Sequence, residues 1–190
     1  MSAGLFMDDL NSVVLFLKDH IVIREKFVIS GKLSEKWVRL EELDSSATKL
    51  LTGIEDRNFF FHEGFSPRDI QSALVSKFFF QKKLRGASTI TQQLARTLFL
   101  NREKTLARKF NEIEISNQLE KRFSKKEILE LYINTVYWGR GLHGLYSASE
   151  LYFGKNPRNL SPKEMNTLFQ ILKRPDYYSR QKIRSGEIFY

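Results

Sequence analysis

A ten-residue stretch from Glu55 to Gly64 combines ionisable side chains with three consecutive phenylalanines. The acidic pair Glu55 and Asp56 precedes the aromatic run 59–61, and His62 follows it. A carboxylate beside apolar surface loses hydration, which raises its pKa above the reference value of about 4.3. A carboxylate with a raised pKa can act as a general base near neutral pH, so this stretch predicts a catalytic carboxylate.

A second group of residues has the composition of an anion site. Thr89 and Gln92 have capping-box spacing, which predicts a helix N-terminus whose free backbone N–H groups bind an anion. The alternative is an ordinary capped helix. The polar and cationic residues around this helix start and after it are Gly86, Ser88, Thr89, Gln92, Gln93, Arg96, Lys104, Arg108 and Lys109. Their charge is suited to a diphosphate.

A further carboxylate, Glu112, lies on a helix predicted over residues 105–122. Apolar neighbours on its face predict that Glu112 is at least partly buried, and Arg108 and Lys109 precede it by one turn. A salt-bridged structural glutamate and a functional one are both compatible with this pattern. No cluster has the spacing of a transition-metal site, although glutamates near a diphosphate could share Mg²⁺.

Helices are predicted to position all of these groups. The predicted helices cover 8–25, 45–54, a segment opened by Ser66 and Pro67, a segment opened by Thr89, 105–122, a segment opened by the capping box at Ser124, 145–153 closed by Gly154, and a segment opened by Ser161 and ended by Pro175. A small hairpin is predicted from 27–29 and 36–40. Residues 139–144 are rich in glycine without matching a nucleotide-binding motif, so they predict a loop.

Composition limits the molecule that carries this site. The 190 residues are 42% hydrophobic, enough for one domain with a real core, and the net charge is +9. Such a charge favours anionic partners, namely phosphate esters, nucleic acid or an acidic membrane surface, although many basic proteins are simply soluble. Cysteine is absent, which excludes disulfides and thiolate metal sites.

The sequence predicts attachment to a membrane surface without a spanning helix. The N-terminal apolar run 13–17 is far shorter than the roughly 20 residues that a spanning helix needs, and no signal peptide is recognisable. The protein is therefore expected to be peripheral, or its anchor is missing from this chain. Residues 78–85 place phenylalanines directly before lysines, a pattern typical of a membrane interface. The alternative is that these phenylalanines complete the core.

Four ordered motifs carry a resemblance to a known family. They are Glu55-Asp56-Arg57-Asn58-Phe59 with His62 and Gly64, Gly86 through Leu94, Arg108-Lys109-Phe110-Asn111-Glu112, and Ile128 through Asn134 continuing to Tyr152-Phe153-Gly154-Lys155. From about Trp37 to Tyr178 the chain resembles the peptidoglycan glycosyltransferases (glycosyltransferase family 51). These are the transglycosylase domains of penicillin-binding proteins and their monofunctional relatives.

The resemblance implies a mainly α, lysozyme-like fold with two lobes and a cleft between a larger globular lobe and a smaller membrane-facing lobe. Residues 1–36 would form an N-terminal helix and arm, 37–178 the catalytic domain with about 65–86 in the small lobe, and 179–190 a C-terminal tail. Such enzymes polymerise lipid II at the extracytoplasmic face of the bacterial cytoplasmic membrane.

The resemblance also implies a role for each site residue. Glu55 would deprotonate the 4-hydroxyl of the acceptor sugar in one inverting displacement, and Glu112 would assist near the diphosphate, through Mg²⁺ or Mn²⁺. The substrate-binding residues would be Asp56, Phe59, His62, Gly86, Ser88, Thr89, Gln92, Gln93, Arg96, Lys104, Arg108, Lys109 and Asn134. No organic cofactor is expected.

The expected partners are lipid II, the growing lipid-linked glycan strand, an anionic membrane surface and a transpeptidase or other cell-wall synthesis protein, without nucleic acid. Two alternative functions remain open: a lysozyme-like hydrolase, and a catalytically weakened module that binds lipid II. A glycoside hydrolase needs an acid for a poor leaving group, whereas a diphosphate leaves once its charge is neutralised. The cations between Gln92 and Lys109 therefore favour transfer from a lipid diphosphate.

Several positions depart from the family pattern. Arg96, Thr97 and Lys104 stand where the family usually has Lys, Asn and Arg, so charge is kept at the two basic positions while donor geometry changes. Asn166-Thr167 and Lys173-Arg174 replace small apolar residues expected around Glu164 and before Pro175. Reduced activity or an unusual partner would follow from these changes.

Overall fold

The computed structural model of the chain describes residues 36–65, 88–100, 106–178, 182–184 and 187–189. The chain divides into two compact units, Met1–Trp37 and Val38–Tyr190. Helix dominates the described part of the second unit, which confirms the mainly α class. The predicted helix 8–25, the strand 27–29, the membrane-interface segment 78–85 and the predicted small lobe beyond residue 65 lie outside the described residues.

The described elements follow one another along the chain with short connections. They are α1 (Ser45–Glu55), α2 (Ile90–Phe99), α3 (Leu106–Arg122), α4 (Lys125–Thr135), β1 (Tyr137–Gly139), β2 (Leu142–His143), α5 (Leu145–Phe153), α6 (Pro162–Leu172), α7 (Pro175–Tyr178), β3 (Lys182–Arg184) and β4 (Glu187–Phe189). Short 3-10 turns lie at Leu40–Glu42, Phe59–Phe61 and Pro157–Asn159.

Local sequence signals set the helix starts. The Ser124 side chain accepts the N–H of Glu127 while the Glu127 side chain accepts that of Ser124, which is the predicted capping box at the start of α4. Ser161 and Glu164 make the same pair at α6, where Pro162 occupies the first turn without losing a hydrogen bond. These reciprocal bonds satisfy donors that a helix leaves without partners, so the boundaries follow from sequence alone.

The core of the second unit lies where four helices meet. Helix α2 packs against α3 and α4, while α1 packs against α6. Large side chains fill the space between them, and those fully buried include Trp138, Tyr132, Phe59 and Phe169. Burial of such rings supplies much of the hydrophobic stabilisation, and it fixes the end of α1 against the start of α2.

The predicted hairpin is wrong in the part that the structure describes. Residues 36–39 form no strand, and a 3-10 turn follows at Leu40–Glu42. The Val38 N–H donates to Asn134 Oδ1 at 2.9 Å, and Asn134 Nδ2 donates to the Val38 carbonyl at 2.8 Å. A side-chain amide thus satisfies the same backbone groups that a neighbouring strand would have satisfied.

Two short hairpins replace segments for which the sequence predicts no strand. Strands β1 and β2 pair around Gly139, Arg140 and Gly141, whose φ angles are 92°, 52° and 75°. Glycine adopts such angles without strain, so the glycine-rich run builds a tight turn instead of an open loop. Strands β3 and β4 pair within the predicted C-terminal tail, with Lys182 opposite Phe189. No helix in the part of the chain described here is long and apolar enough to cross a membrane.

Candidate active site

Glu55 is the last residue of α1, and its two carboxylate oxygens have different surroundings. Oε2 accepts a hydrogen bond from Gln93 Nε2 at 3.0 Å. Oε1 is buried and has no hydrogen-bond partner among the described residues. Burial raises the pKa of Glu55, the Gln93 hydrogen bond and the charge of Lys173 lower it, and the charge of Asp56 raises it; the net direction is upward. Glu55 therefore has the properties that the sequence predicts for a base.

Gln93 is held in one orientation by Tyr132. The Tyr132 hydroxyl donates to Gln93 Oε1 at 3.0 Å, and Tyr132 is fully buried. Burial, followed by the charge of Glu55, raises the Tyr132 pKa well above its ordinary value, so the phenol keeps its proton. A phenolic donor must face the amide oxygen, which leaves the amide nitrogen to face Glu55. The sequence assigns Gln93 to phosphate binding, whereas here its amide contacts the carboxylate.

Asp56 occupies the N-terminus of α2. Its Oδ2 accepts the Ile90 N–H at 2.9 Å, and the Thr89 hydroxyl oxygen accepts the Gln92 N–H at 3.1 Å. The prediction that these N–H groups remain free for an anion is therefore wrong for Ile90 and Gln92. A carboxylate of the chain itself takes the favourable position at the positive end of the helix dipole.

His62 closes the loop that follows Glu55. His62 Nε2 lies 2.9 Å from Asp56 Oδ2, and the Gly64 N–H donates to His62 Nδ1 at 3.1 Å. Since Nδ1 accepts, the proton lies on Nε2 and is donated to Asp56. The Thr89 hydroxyl donates to the Gly64 carbonyl at 2.6 Å. Residues 56–64, the Glu55 loop, are thus tied to the start of α2.

Glu112 lies in a cluster of cations, which we call the Glu112 cluster: Glu112, Arg96, Arg108 and Lys109. The Glu112 side chain is fully buried, as predicted. Its Oε1 pairs with Arg108 and lies 4.0 Å from Arg96 Nη1, and its Oε2 lies 2.8 Å from Lys109 Nζ. Three cations around one carboxylate leave an excess of positive charge, which suits a multiply charged anion.

Lys109 connects the Glu112 cluster to α2. Its ammonium group also donates to Ser88 Oγ and to Gln92 Oε1, both at 3.0 Å. Burial lowers the pKa of Lys109 to about 8, and the charges of Arg96 and Arg108 lower it further in the same direction. Gln92 Nε2 is buried without a hydrogen-bond partner among the described residues, so a donor next to this ammonium group remains for a ligand.

The donor set does not fit a metal ion held by the protein. In the described ranges, no group of three or more His, Asp or Glu residues could hold a metal ion. Both oxygens of Glu112 already face cations, and a divalent ion there would be repelled by Arg108 and Lys109. The Mg²⁺ or Mn²⁺ expected from the resemblance therefore stays a prediction, and we assign no chemical step to it.

The remaining predicted site residues fall outside both groups. Phe59 is fully buried beneath the Glu55 loop, and the Asn134 amide is engaged by the Val38 backbone and the Glu130 carbonyl. Gly86 and Lys104 lie outside the described residues. The structure thus brings together Glu55 with Gln93, Asp56 with His62 and Thr89, and Glu112 with Arg96, Arg108, Lys109, Ser88 and Gln92.

Two residues near Glu55 had no predicted role. Tyr132 carried a signal, since a tyrosine within an apolar helix face needs a partner for its hydroxyl. Lys173 was noted only as a departure from small apolar residues; its charge reaches Glu55 across the interface of α1 and α6. This proximity follows from packing, and nothing in the local sequence indicated it.

Comparison with known proteins identifies similar chains. The sequence model of the transglycosylase family matches residues 23–187. The chain is 34% identical over 167 residues to a biosynthetic peptidoglycan transglycosylase of Nitrosomonas eutropha, covering 88% of this chain and 68% of that protein. The corresponding protein of Dechloromonas aromatica is 36% identical over 167 residues, covering 86% of this chain and 71% of its own length.

A similar region also occurs in larger proteins. Penicillin-binding protein 2D of Bacillus subtilis is 44% identical over 143 residues, which are 75% of this chain and 21% of that protein. The chain thus spans about a fifth of the length of this relative.

Proposed function

This chain belongs to the transglycosylase family, and from that membership and its site geometry we propose that it polymerises lipid II into glycan strands. The observation that carries the proposal is the contrast between its two carboxylates. Glu55 keeps a buried oxygen without a hydrogen-bond partner in the described structure, whereas the Glu112 oxygens are both engaged by cations. One carboxylate can accept a proton, and the other organises a bed of positive charge.

The reaction would be a single inverting displacement. Glu55 takes the proton of the acceptor 4-hydroxyl while that oxygen forms a bond to the anomeric carbon of the lipid-linked donor. The bond from this carbon to the diphosphate oxygen breaks, and the diphosphate leaves with the electron pair. Arg96, Arg108 and Lys109 stabilise the negative charge that develops on the leaving group.

The surroundings of Glu112 favour transfer over hydrolysis of a glycoside. A hydrolase of that kind needs a protonated carboxyl group to donate to the leaving oxygen. Two close cations and a third at 4.0 Å favour the ionised form of Glu112, so it is poorly suited to be that acid.

We further propose the location and partners of the reaction. A lipid-linked donor would hold the enzyme at the extracytoplasmic face of the cytoplasmic membrane, with an anionic surface beneath a chain of net charge +9. A transpeptidase or other cell-wall protein would supply the crosslinks.

A lipid II turnover assay, run with Mg²⁺ and again with EDTA, tests this proposal. We expect polymer from the wild-type chain, and Glu55→Gln should lower turnover about 10²–10⁴-fold because the amide cannot accept the proton. Glu63→Gln is the matched control, since Glu63 is exposed in the same loop.

Other outcomes would separate the alternatives. Digestion of finished sacculi would indicate a hydrolase, and binding of lipid II without polymer would indicate a binding module. A folded wild-type chain that does neither would overturn the proposal. Loss of turnover in EDTA by several orders of magnitude would show that a metal ion acts in the reaction, contrary to the donor set around Glu112.

A further inference from the structure

Lys125, at the start of α4, lies behind the Glu55 loop and takes no part in the proposed chemistry. Its Nζ donates to the His62 carbonyl at 2.5 Å and to Glu120 Oε1 at 2.7 Å. The same ammonium group lies 4.5 Å from the centroid of the Phe59 ring. The Lys125 side chain is 21% exposed and that of Glu120 is 8% exposed, so water screens this pair little.

Glu120 joins a second element to the same point. Its Oε1 also accepts the Thr91 hydroxyl at 2.6 Å, and Thr91 is fully buried in the first turn of α2. The next two residues of α2 are Gln92 and Gln93, which contact Lys109 and Glu55. One carboxylate thus links Lys125 to the helix turn that reaches both carboxylates of the site.

The Glu55 loop leaves little slack for this contact. Gly64 has a φ of +91°, and a Cβ there would lie 3.0 Å from the Ser116 carbonyl group on α3. Asp56, the residue after Glu55, is held by the His62 ring, and the His62 carbonyl is held by Lys125. Displacement of the His62 backbone therefore moves the anchor of the residue next to Glu55.

We propose that Lys125 is a positioning residue for the general base: its ammonium group, fixed by Glu120, clamps the His62 carbonyl and the Phe59 ring so that the Glu55 loop excludes water from Glu55 Oε1. Lys125 contacts neither substrate nor Glu55. Three interactions converge on one ammonium group: a charge-assisted hydrogen bond, an ion pair and a cation–π contact. The inference rests on the proposed transferase function for the meaning of Glu55, but its geometry does not.

The first test compares steady-state kinetics of Lys125→Met with those of wild type. We expect kcat to fall about 10–100-fold, since small displacements of a catalytic group have costs of this size. KM for lipid II should change little because the Glu112 cluster is intact. Lys126→Met is the matched control, since Lys126 is the exposed neighbour with the same charge. Lys125→Arg retains charge and donors and should recover most of the lost kcat.

The second test measures the Glu55 pKa directly, by carboxyl ¹³C NMR titration. Burial is the main cause that raises this pKa, while Asp56, Lys173 and the Gln93 amide also act on it, and the Tyr132 phenol faces it through Gln93. Water admitted by Lys125→Met would lower the Glu55 pKa towards its ordinary value, and the acidic limb of kcat would move to lower pH. The NMR result needs no substrate, so it tests the inference even if lipid II is not turned over.

A folded Lys125→Met with unchanged kcat and an unchanged Glu55 pKa would overturn the inference. If Lys125→Met does not fold, Glu120→Gln replaces it: the amide oxygen still accepts from Thr91, while the ion pair is lost. A fall in kcat and in the Glu55 pKa, smaller but in the same directions, supports the proposal, and unchanged values overturn it.

Discussion

At the scale of single residues, two glutamates of the same type differ through their neighbours. Gln93, oriented by Tyr132, gives Glu55 one neutral hydrogen bond, and burial raises its pKa. Glu112 is surrounded by charge instead. Desolvation favours the protonated form of a carboxyl group and cations favour the ionised form, so these environments separate the two proton affinities.

The charge of Lys173 provides a test of the Glu55 pKa. This charge lowers that pKa, so Lys173→Met should raise it further. A general base works when deprotonated, and the acidic limb of kcat should therefore move to higher pH. The shift should be larger at low ionic strength, where screening is weaker.

The pH profile of lipid II turnover measures this effect. Arg174→Met is the matched control, because Arg174 is the exposed neighbour and the charge of Lys173 remains. A limb that stays in place, or moves to lower pH, would contradict electrostatic coupling between Lys173 and Glu55.

At the scale of elements, the joint between α4 and α5 depends on one glycine. Gly144 precedes α5 with φ +83° and ψ 144°, a conformation that side-chain-bearing residues rarely adopt. A Cβ at this position would lie 2.7 Å from the Asn134 carbonyl oxygen, at the end of α4. The backbone of α4 therefore leaves no room for a larger residue where the chain enters α5.

Gly144→Ala should lower the free energy of unfolding by about 3 kcal/mol, through backbone strain and the clash with Asn134. Urea unfolding followed by circular dichroism measures this change. Gly53→Ala is the control: it lies within α1 with nothing within 4 Å of its Cβ, and should raise stability by about 0.5–1 kcal/mol. Equal effects of the two substitutions would refute the steric argument.

At the scale of the whole molecule, charge is the property that no single contact explains. The 31 basic and 22 acidic residues give the net charge of +9. The Glu112 cluster accounts for a local part of this excess, since it contains three cations and one carboxylate. The remainder is spread over the chain, and it favours association with an anionic surface.

Vesicle flotation tests this association. The protein should float with phosphatidylglycerol vesicles at low salt and lose most of this binding at about 1 M salt, where the screening length falls to about 3 Å. Phe79→Ser combined with Phe80→Ser should weaken binding at low salt if the 78–85 segment enters the interface. Neutral phosphatidylcholine vesicles are the control. Binding that ignores both salt and these substitutions would contradict the prediction.

Much of the described fold follows from local signals in the sequence. Side-chain caps at Ser124 and Ser161 bond to backbone groups three residues away, so their effect is legible without tertiary contacts. The hairpins at 137–143 and 182–189 were missed because their strands have two or three residues, too few for an alternating pattern.

The sequence by itself determined the helical class, the helix starts, the burial of Glu112 and the basic charge, because each depends on neighbours within a few positions or on composition. Only the tertiary structure decided which groups meet: Asp56 at the start of α2, Gln93 and Lys173 near Glu55, and Lys125 beneath His62. These partners are separated by many residues in the chain, and packing of buried side chains alone brings them together. A pKa depends on such partners, so the choice of Glu55 as the base follows from the fold.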